Sequence, residues 1–182
     1  MRLLTLALAL IGALAISTTR EASALDKENT LYIDLEWGRV VIEMRPDLAP
    51  NHVAQIKRHA RAGIYDNVPF HRVIDGFMAQ TGDPDGTGMG GAGERLKAEF
   101  NNESHKRGIV SMARTQDPNS ARSQFFIVLA DSPFLDRQYT VWGKVVSGME
   151  FVDRIKKGAP GSGAVTNPDR MKKVRVAADV KE

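Results

Sequence analysis

Leu31, Ile33 and Leu35 alternate with Tyr32, Asp34 and Glu36, and after Trp37-Gly38 a second run alternates Val40, Ile42 and Met44 with Arg39, Val41 and Glu43. A period of two is the side-chain repeat of a strand, so the pair predicts a β-hairpin around the glycine break. Beyond Pro50 the period lengthens. Val53, Ile56 and Ala60 stand at i, i+3 and i+7, which predicts a helix opening at Pro50 and stopping at Gly63. Its other face carries Lys57, Arg58 and Arg61 and reads as solvated surface. Further apolar runs predict strands over 68–74, 77–81, 109–113, 125–129 and 141–145, with a closing strand around Val174 and Val176. A second helix is predicted over 149–157, with Phe151, Val152 and Ile155 as its stripe and Gly158 as its end. Many short strands, two helices far apart and no βαβ alternation favour a mainly β fold, a closed antiparallel β-barrel rather than a doubly wound sheet. Closure would also remove the exposed edges that so many strands leave. No internal repeat and no second domain is visible.

Composition changes this picture mainly at the N-terminus. The chain has 182 residues, 42% apolar and 26% charged, which suits one globular domain. Residues 3–19 carry no charge, Arg2 precedes them, and Arg20-Glu21 and an Ala22-Ser23-Ala24 box follow. A short positive end, an apolar stretch and a small-x-small box predict a secretory signal peptide over 1–24, cleaved after Ala24, with the functional domain over 25–182. The alternative is an uncleaved anchor, for which 17 uncharged residues fall short of the ~20 a membrane helix needs. With the leader removed, 23 basic residues face 21 acidic ones, and no Lys/Arg block exceeds two residues. That predicts no nucleic-acid partner and, after cleavage, no stable membrane insertion. Cysteine is absent, so disulfides and thiolate zinc sites are excluded.

Two segments carry candidate chemistry. The first, Phe70-His71-Arg72-Val73-Ile74-Asp75-Gly76-Phe77-Met78-Ala79-Gln80-Thr81-Gly82-Asp83, sets one guanidinium and one amide among bulky apolar groups. The second is Ser123-Gln124-Phe125-Phe126. Between them the glycine-rich stretch 82–93 lacks the Gly-Lys-Ser/Thr ending of a phosphate loop and has no surrounding βαβ unit. It reads as a long loop with several positive-φ positions. Read together, the two segments resemble the cyclophilin-type peptidyl-prolyl isomerases, and the resemblance covers roughly residues 29–180.

That resemblance implies an eight-stranded barrel capped by two helices, and an enzyme that rotates X-Pro bonds without a metal, organic cofactor or covalent intermediate. Rotation removes amide resonance against a barrier of about 18–20 kcal/mol, and the proline nitrogen regains a lone pair in the twisted state. A thousand-fold acceleration requires about 4 kcal/mol of differential stabilisation, which one cationic donor and an apolar pocket can supply. Arg72 matches the family's catalytic donor, and Gln80 the glutamine that supports it and binds substrate backbone. Phe77, Met78, Phe126 and Leu135 match the proline pocket, and Ala113, Arg114 and Gln124 match the groove. Phe77 and Met78 are adjacent, so a plain strand would point them to opposite sides; only the resemblance places both at the pocket. Phe134 stands where many eukaryotic members have a tryptophan that helps bind cyclosporin. Phenylalanine cannot donate that hydrogen bond, so weak drug binding is expected. Tyr139 takes the place of a pocket histidine, and Arg114 that of a frequent asparagine. His71 is read as structural or as a hydrogen-bonding neighbour of Arg72, because the chemistry moves no proton. These departures look like bacterial members and, with the leader, imply the periplasm; the resemblance implies proline-containing unfolded or partly folded polypeptides as partners, and a monomer is the default expectation.

Three other readings compete. One is a non-catalytic or dual-role chaperone on the same barrel, holding proline-containing segments. Another is a metal-dependent hydrolase using His52, His59, His71 and His105, although His52 and His59 are seven apart and lack the i, i+4 pattern of a zinc site. The third, a ligand-carrying barrel, would need an interior cavity in place of a surface groove.

Overall fold

The alternation in 30–44 does form a hairpin: β1 (Thr30–Leu35) and β2 (Gly38–Met44) pair antiparallel with Leu35 opposite Gly38. The structure is a computed structural model that describes residues 25–181, so the leader predicted over 1–24 lies outside the described residues. Helix α1 (Pro50–Arg61) starts at the proline and ends before Gly63, as its period requires. The run over 68–74 is not one strand. It breaks at Phe70-His71 into β3 (Val68–Pro69) and β4 (Arg72–Ile74), which join different partners. There follow β5 (Met78–Thr81), β6 (Ile109–Met112), β7 (Phe125–Val128) and β8 (Val141–Ser147). Helix α2 (Met149–Asp153) is shorter than predicted. Past it the backbone leaves the helical path to bond elsewhere: Lys156 N–H donates to the Asp169 carboxylate and Gly158 N–H to the Val73 carbonyl. The chain closes with β9 (Arg170–Met171) and β10 (Lys173–Val176).

Eight strands make one curled antiparallel sheet in the order β10-β1-β2-β8-β6-β7-β5-β4, and β3 pairs with β9 as a separate ribbon. The predicted closure is not made by strand pairing among the described residues, because end strands β4 and β10 share no ladder. The physical reason lies in the breaks just before those strands. The β3–β9 ribbon takes the hydrogen bonds of the segments that lead into them, including Asn67 N–H to Met171 O and Phe70 N–H to Asp169 O.

Both faces of the sheet are covered, which explains why β7 reads as an unbroken apolar run. Phe125 and Ile127 enter the main core with Val110, Met112, Trp142 and the α1 residues Val53, Ile56 and Ala60. Phe126 and Val128 face the other way, into a smaller cluster with Met78, Ile109, Leu135 and Val141. The candidate site stands on this second face.

Candidate active site

Strand register puts the site together. Arg72 lies opposite Gln80, Gln80 opposite Phe126, and Phe126 opposite Ser111, across β4, β5, β7 and β6. Paired residues in an antiparallel ladder share a face, so one guanidinium, one amide and one ring stand in a row. Arg72 Nε donates to the Ser162 carbonyl at 3.1 Å and Nη1 to Gln80 Oε1 at 3.3 Å. Gln80 Nε2 donates to Gln124 Oε1 at 2.9 Å, and Gln124 Nε2 to the carbonyls of Gly88 and Gly90 at 3.0 and 2.9 Å. The glycine carbonyls can only accept, so they fix which way both amides point and turn an oxygen toward Arg72.

Each end of this relay is anchored by a loop. The Asp83 carboxylate accepts from the backbone N–H groups of Asp85, Gly88 and Gly90 and from the Thr87 hydroxyl. Burial would raise the Asp83 pKa, but these donors outweigh it and hold the carboxyl below its usual range. Gly82 has φ +87°, and a Cβ there would overlap the Ser123 carbonyl oxygen, so this entry to the loop requires glycine. At the other end, the segment 158–164 lies along β4: Val73 N–H bonds to Gly163 O at 2.8 Å and Arg72 bridges to Ala164.

Beside Arg72 opens a cavity of about 100 Å³, lined by Phe77, Met78, Phe126, Leu135 and Tyr139 with Gln80, Ala113 and Arg114 at its sides. Phe77 and Met78 both reach it because Phe77 sits in the turn before β5, its N–H bonded to Ile74 O at 3.1 Å, while Met78 is the first strand residue. The Phe126 and Tyr139 rings meet edge to face at 5.7 Å. His105 supports both from beneath, stacked on Phe126 at 6.3 Å and edge-on to Tyr139 at 6.5 Å. It is fully buried, with Nδ1 on the Asp136 carboxylate at 3.0 Å and Nε2 on the Ser111 hydroxyl at 2.8 Å. Burial pushes the His105 pKa down, and Asp136 only partly opposes that.

Of the residues expected from sequence, Arg72, Phe77, Met78, Gln80, Ala113, Arg114, Phe126, Leu135 and Tyr139 converge on this cavity. Gln124 stands one step back, behind Gln80. Phe134 does not line the cavity; it is 63% exposed at the rim, 5.4 Å from the Phe77 ring. The Arg114 guanidinium lies 4.6 Å over the Tyr139 ring and donates to the carbonyls of Gln138, Thr115 and Gln116. Sequence reasoning missed Asp83, Ser162 and the Ser111–His105–Asp136 network. Ser162 and Asp136 lie far along the chain from Arg72 and His105, whereas the partners of Asp83 are local and only the Asp-Gly pattern around 83–88 hinted at a structured turn. The four histidines occupy separate settings: His52 on Glu99 at 2.6 Å, His59 edge-on to Tyr65, His71 without a protein partner for either ring nitrogen, and His105 as above. Among the described residues no group of three or more acidic or histidine side chains is placed to hold a metal ion, and no helix is long and apolar enough to cross a membrane.

Residues 30–176 match the family model of cyclophilin type peptidyl-prolyl cis-trans isomerases. The chain is 53% identical over 189 residues to the probable peptidyl-prolyl cis-trans isomerase of Brucella suis, covering 97% of this chain and 96% of that one. It is 42% identical over 150 residues to peptidyl-prolyl cis-trans isomerase B of Bacillus subtilis, covering 81% and 97%. In fold it is similar to the crystal structure of cyclophilin AquaCyp293 from Hirschia baltica, with TM-score 0.78 and 31% identity over 86% of this chain and 77% of that one. A Cryptosporidium parvum cyclophilin type isomerase crystallised in the presence of the dipeptide Ala-Pro superposes with TM-score 0.74 and 28% identity, over 81% and 98% of the two chains.

Proposed function

The chain belongs to the cyclophilin-type peptidyl-prolyl cis-trans isomerases, and we propose that it accelerates X-Pro rotation in folding polypeptides through Arg72, at the mouth of the Phe77–Met78–Phe126–Leu135–Tyr139 cavity. The carrying observation is a guanidinium held on two sides, by Ser162 O and Gln80 Oε1, beside an apolar recess sized for one ring. A proline ring enters the recess and sheds apolar surface. The remaining Arg72 donors then face the substrate carbonyl and the proline nitrogen, whose lone pair develops only in the twisted state. A donor preorganised toward charge that appears at the barrier top lowers the barrier without binding the ground state equally well. No proton moves and no bond breaks.

Exchange of an Ala-Pro peptide, followed by NMR, tests this. The protein is expected to speed exchange, and Arg72→Ala to lower kcat/KM by at least about a hundredfold, or roughly 2.7 kcal/mol. Folded protein that gives no acceleration would leave a binding module on the same fold. The leader pattern over 1–24 supports export to a periplasm, where unaided cis-trans exchange, taking tens of seconds, is slow enough for an isomerase to matter. Mass spectrometry of the protein from an envelope fraction should find Ala24 removed and Leu25 first. Phe134 at the rim supports weak cyclosporin binding, and Phe134→Trp should strengthen it about tenfold by restoring an indole donor.

A further inference from the structure

A second cavity of about 200 Å³ adjoins the first and shares Gln80, Ala113 and Arg114 with it. Its remaining wall is unlike that of the proline recess. Arg95 and Arg122 join Arg114 there, with the backbone of Gly88 and Gly90 and the exposed Met89 on the opposite rim. The bridge between Leu96 and Ala121 brings the two chain segments together and sets Arg95 and Arg122 on neighbouring strands of chain. Arg122 is steadied by its Nε donating to Gly93 O at 2.9 Å, and Arg114 by the neutral carbonyls of 115, 116 and 138. Elsewhere Arg39, Arg45, Arg61, Arg107 and Arg175 each rest on a carboxylate. Among the described residues Arg95, Arg114 and Arg122 have none within 4.0 Å, and no acidic side chain lines the cavity. Three uncompensated guanidiniums around one concave surface raise the local potential for an anion, and a recess concentrates that field.

We propose that this cavity selects substrates with an acidic side chain, Asp or Glu, close to the isomerised proline. A peptide with its proline in the first cavity passes over the shared residues Ala113 and Arg114, so a neighbouring side chain falls between Arg95 and Arg122. The site would thus sort clients by charge next to the bond it turns, a preference that the proline recess itself cannot supply. This rests on the isomerase reading and extends it from the bond to its surroundings.

The test is kcat/KM for peptides in which Asp, Ala or Lys steps through the three positions on either side of one proline. At one position Asp is expected to exceed Ala about fivefold, the scale of a single semi-exposed ion pair, and Lys to fall below Ala. The Asp/Ala ratio should shrink toward one in 0.5 M salt, as a screened interaction must (about 4 Å Debye length). It should also collapse in an Arg95→Gln/Arg122→Gln double variant, yet persist in Arg39→Gln/Arg154→Gln, which removes the same charge at the β1–β2 hairpin end and beside Trp37. Equal rates for Asp and Lys at every position would overturn the proposal while leaving the isomerase intact. So would a preference that survives the first double variant. If no peptide is accelerated, the isomerase reading fails on its own; NMR titration with Asp and Lys peptides then tests the cavity separately, and equal binding of the two overturns it.

Discussion

Gln80 holds Arg72 with a neutral oxygen, and that choice of residue has a testable consequence. A carboxylate at the same place would bind the guanidinium more strongly, since charge-assisted pairs are about twice as strong as neutral ones. It would also neutralise the potential offered to the developing lone pair, and lose the Nε2 donor that meets Gln124 Oε1. Gln80→Glu is therefore expected to lower kcat/KM about tenfold or more while the melting temperature moves only slightly. Unchanged kcat/KM would mean that the amide merely fills space. At this scale the sequence was informative where side chain and motif coincide, as at Arg72, Gln80 and Phe126. It was silent on the donors and acceptors that orient them. Ser162 acts through its backbone carbonyl, which any residue carries, so no residue type could have marked it.

Among the elements, the segment 158–164 holds β4 in place. Gly158 N–H and Val73 O, Val73 N–H and Gly163 O, and Arg72 Nε and Ser162 O fasten it to the end strand, so Arg72 is braced although β4 has a ladder partner on one side only. Gly163 has φ +74°, and an added Cβ would overlap Ile74 Cγ1 and lie 3.2 Å from Arg72 Cγ. Gly163→Ala should cost about 1–3 kcal/mol through backbone strain. It should also reduce kcat/KM beyond what the loss of folded protein explains, because relieving the overlap with Ile74 shifts the segment whose Ser162 carbonyl holds Arg72 Nε, the proposed donor. Thermal unfolding and peptide exchange on the same sample check both; a stability loss with normal activity per folded molecule would separate the loop from Arg72. Long periodic segments were legible here, β1, β2 and α1 most clearly, since their period is set by one buried face. The shortened α2 and the break at Phe70-His71 were not. Both arise because a distant residue, Asp169 in each case, takes a local backbone N–H, through its carboxylate at Lys156 and its backbone carbonyl at Phe70.

Across the whole molecule, the mainly β architecture with two separated helices was legible from spacing, while the missing β4–β10 ladder depends on the β3–β9 ribbon, a pairing of residues about a hundred apart that no local pattern encodes. The same packing sets how the fold answers to acid. Burial pushes His59, His71 and His105 below the usual histidine value of 6.5; Arg58 adds to this at His59 and Arg72 at His71, whereas Asp136 opposes it at His105. The unfolded chain takes up these protons near pH 6.5, but the native protein accepts them only at lower pH. Unfolding therefore gains protons in that window, and stability rises with pH wherever the unfolded state binds more of them. The contribution is fully present above about pH 6.5 and fades as pH falls toward the native values. A second decline begins near the ordinary carboxylate range. Glu99, Asp83 and Asp136 are held low there, the first two by hydrogen bonds that outweigh their burial and Asp136 chiefly by the His105 backbone N–H. Melting temperature followed by circular dichroism should accordingly be flat from pH 8 to 7, fall by a few degrees on the way to pH 5, and fall again below pH 4.5. His59→Gln should reduce the first slope and leave the second. Because the proposed reaction transfers no proton, exchange rate per folded molecule should not follow the first decline. A rate that titrated with the histidines while the melting temperature stayed constant would place an acid or base in the chemistry and remove Arg72 electrostatics as its sole source.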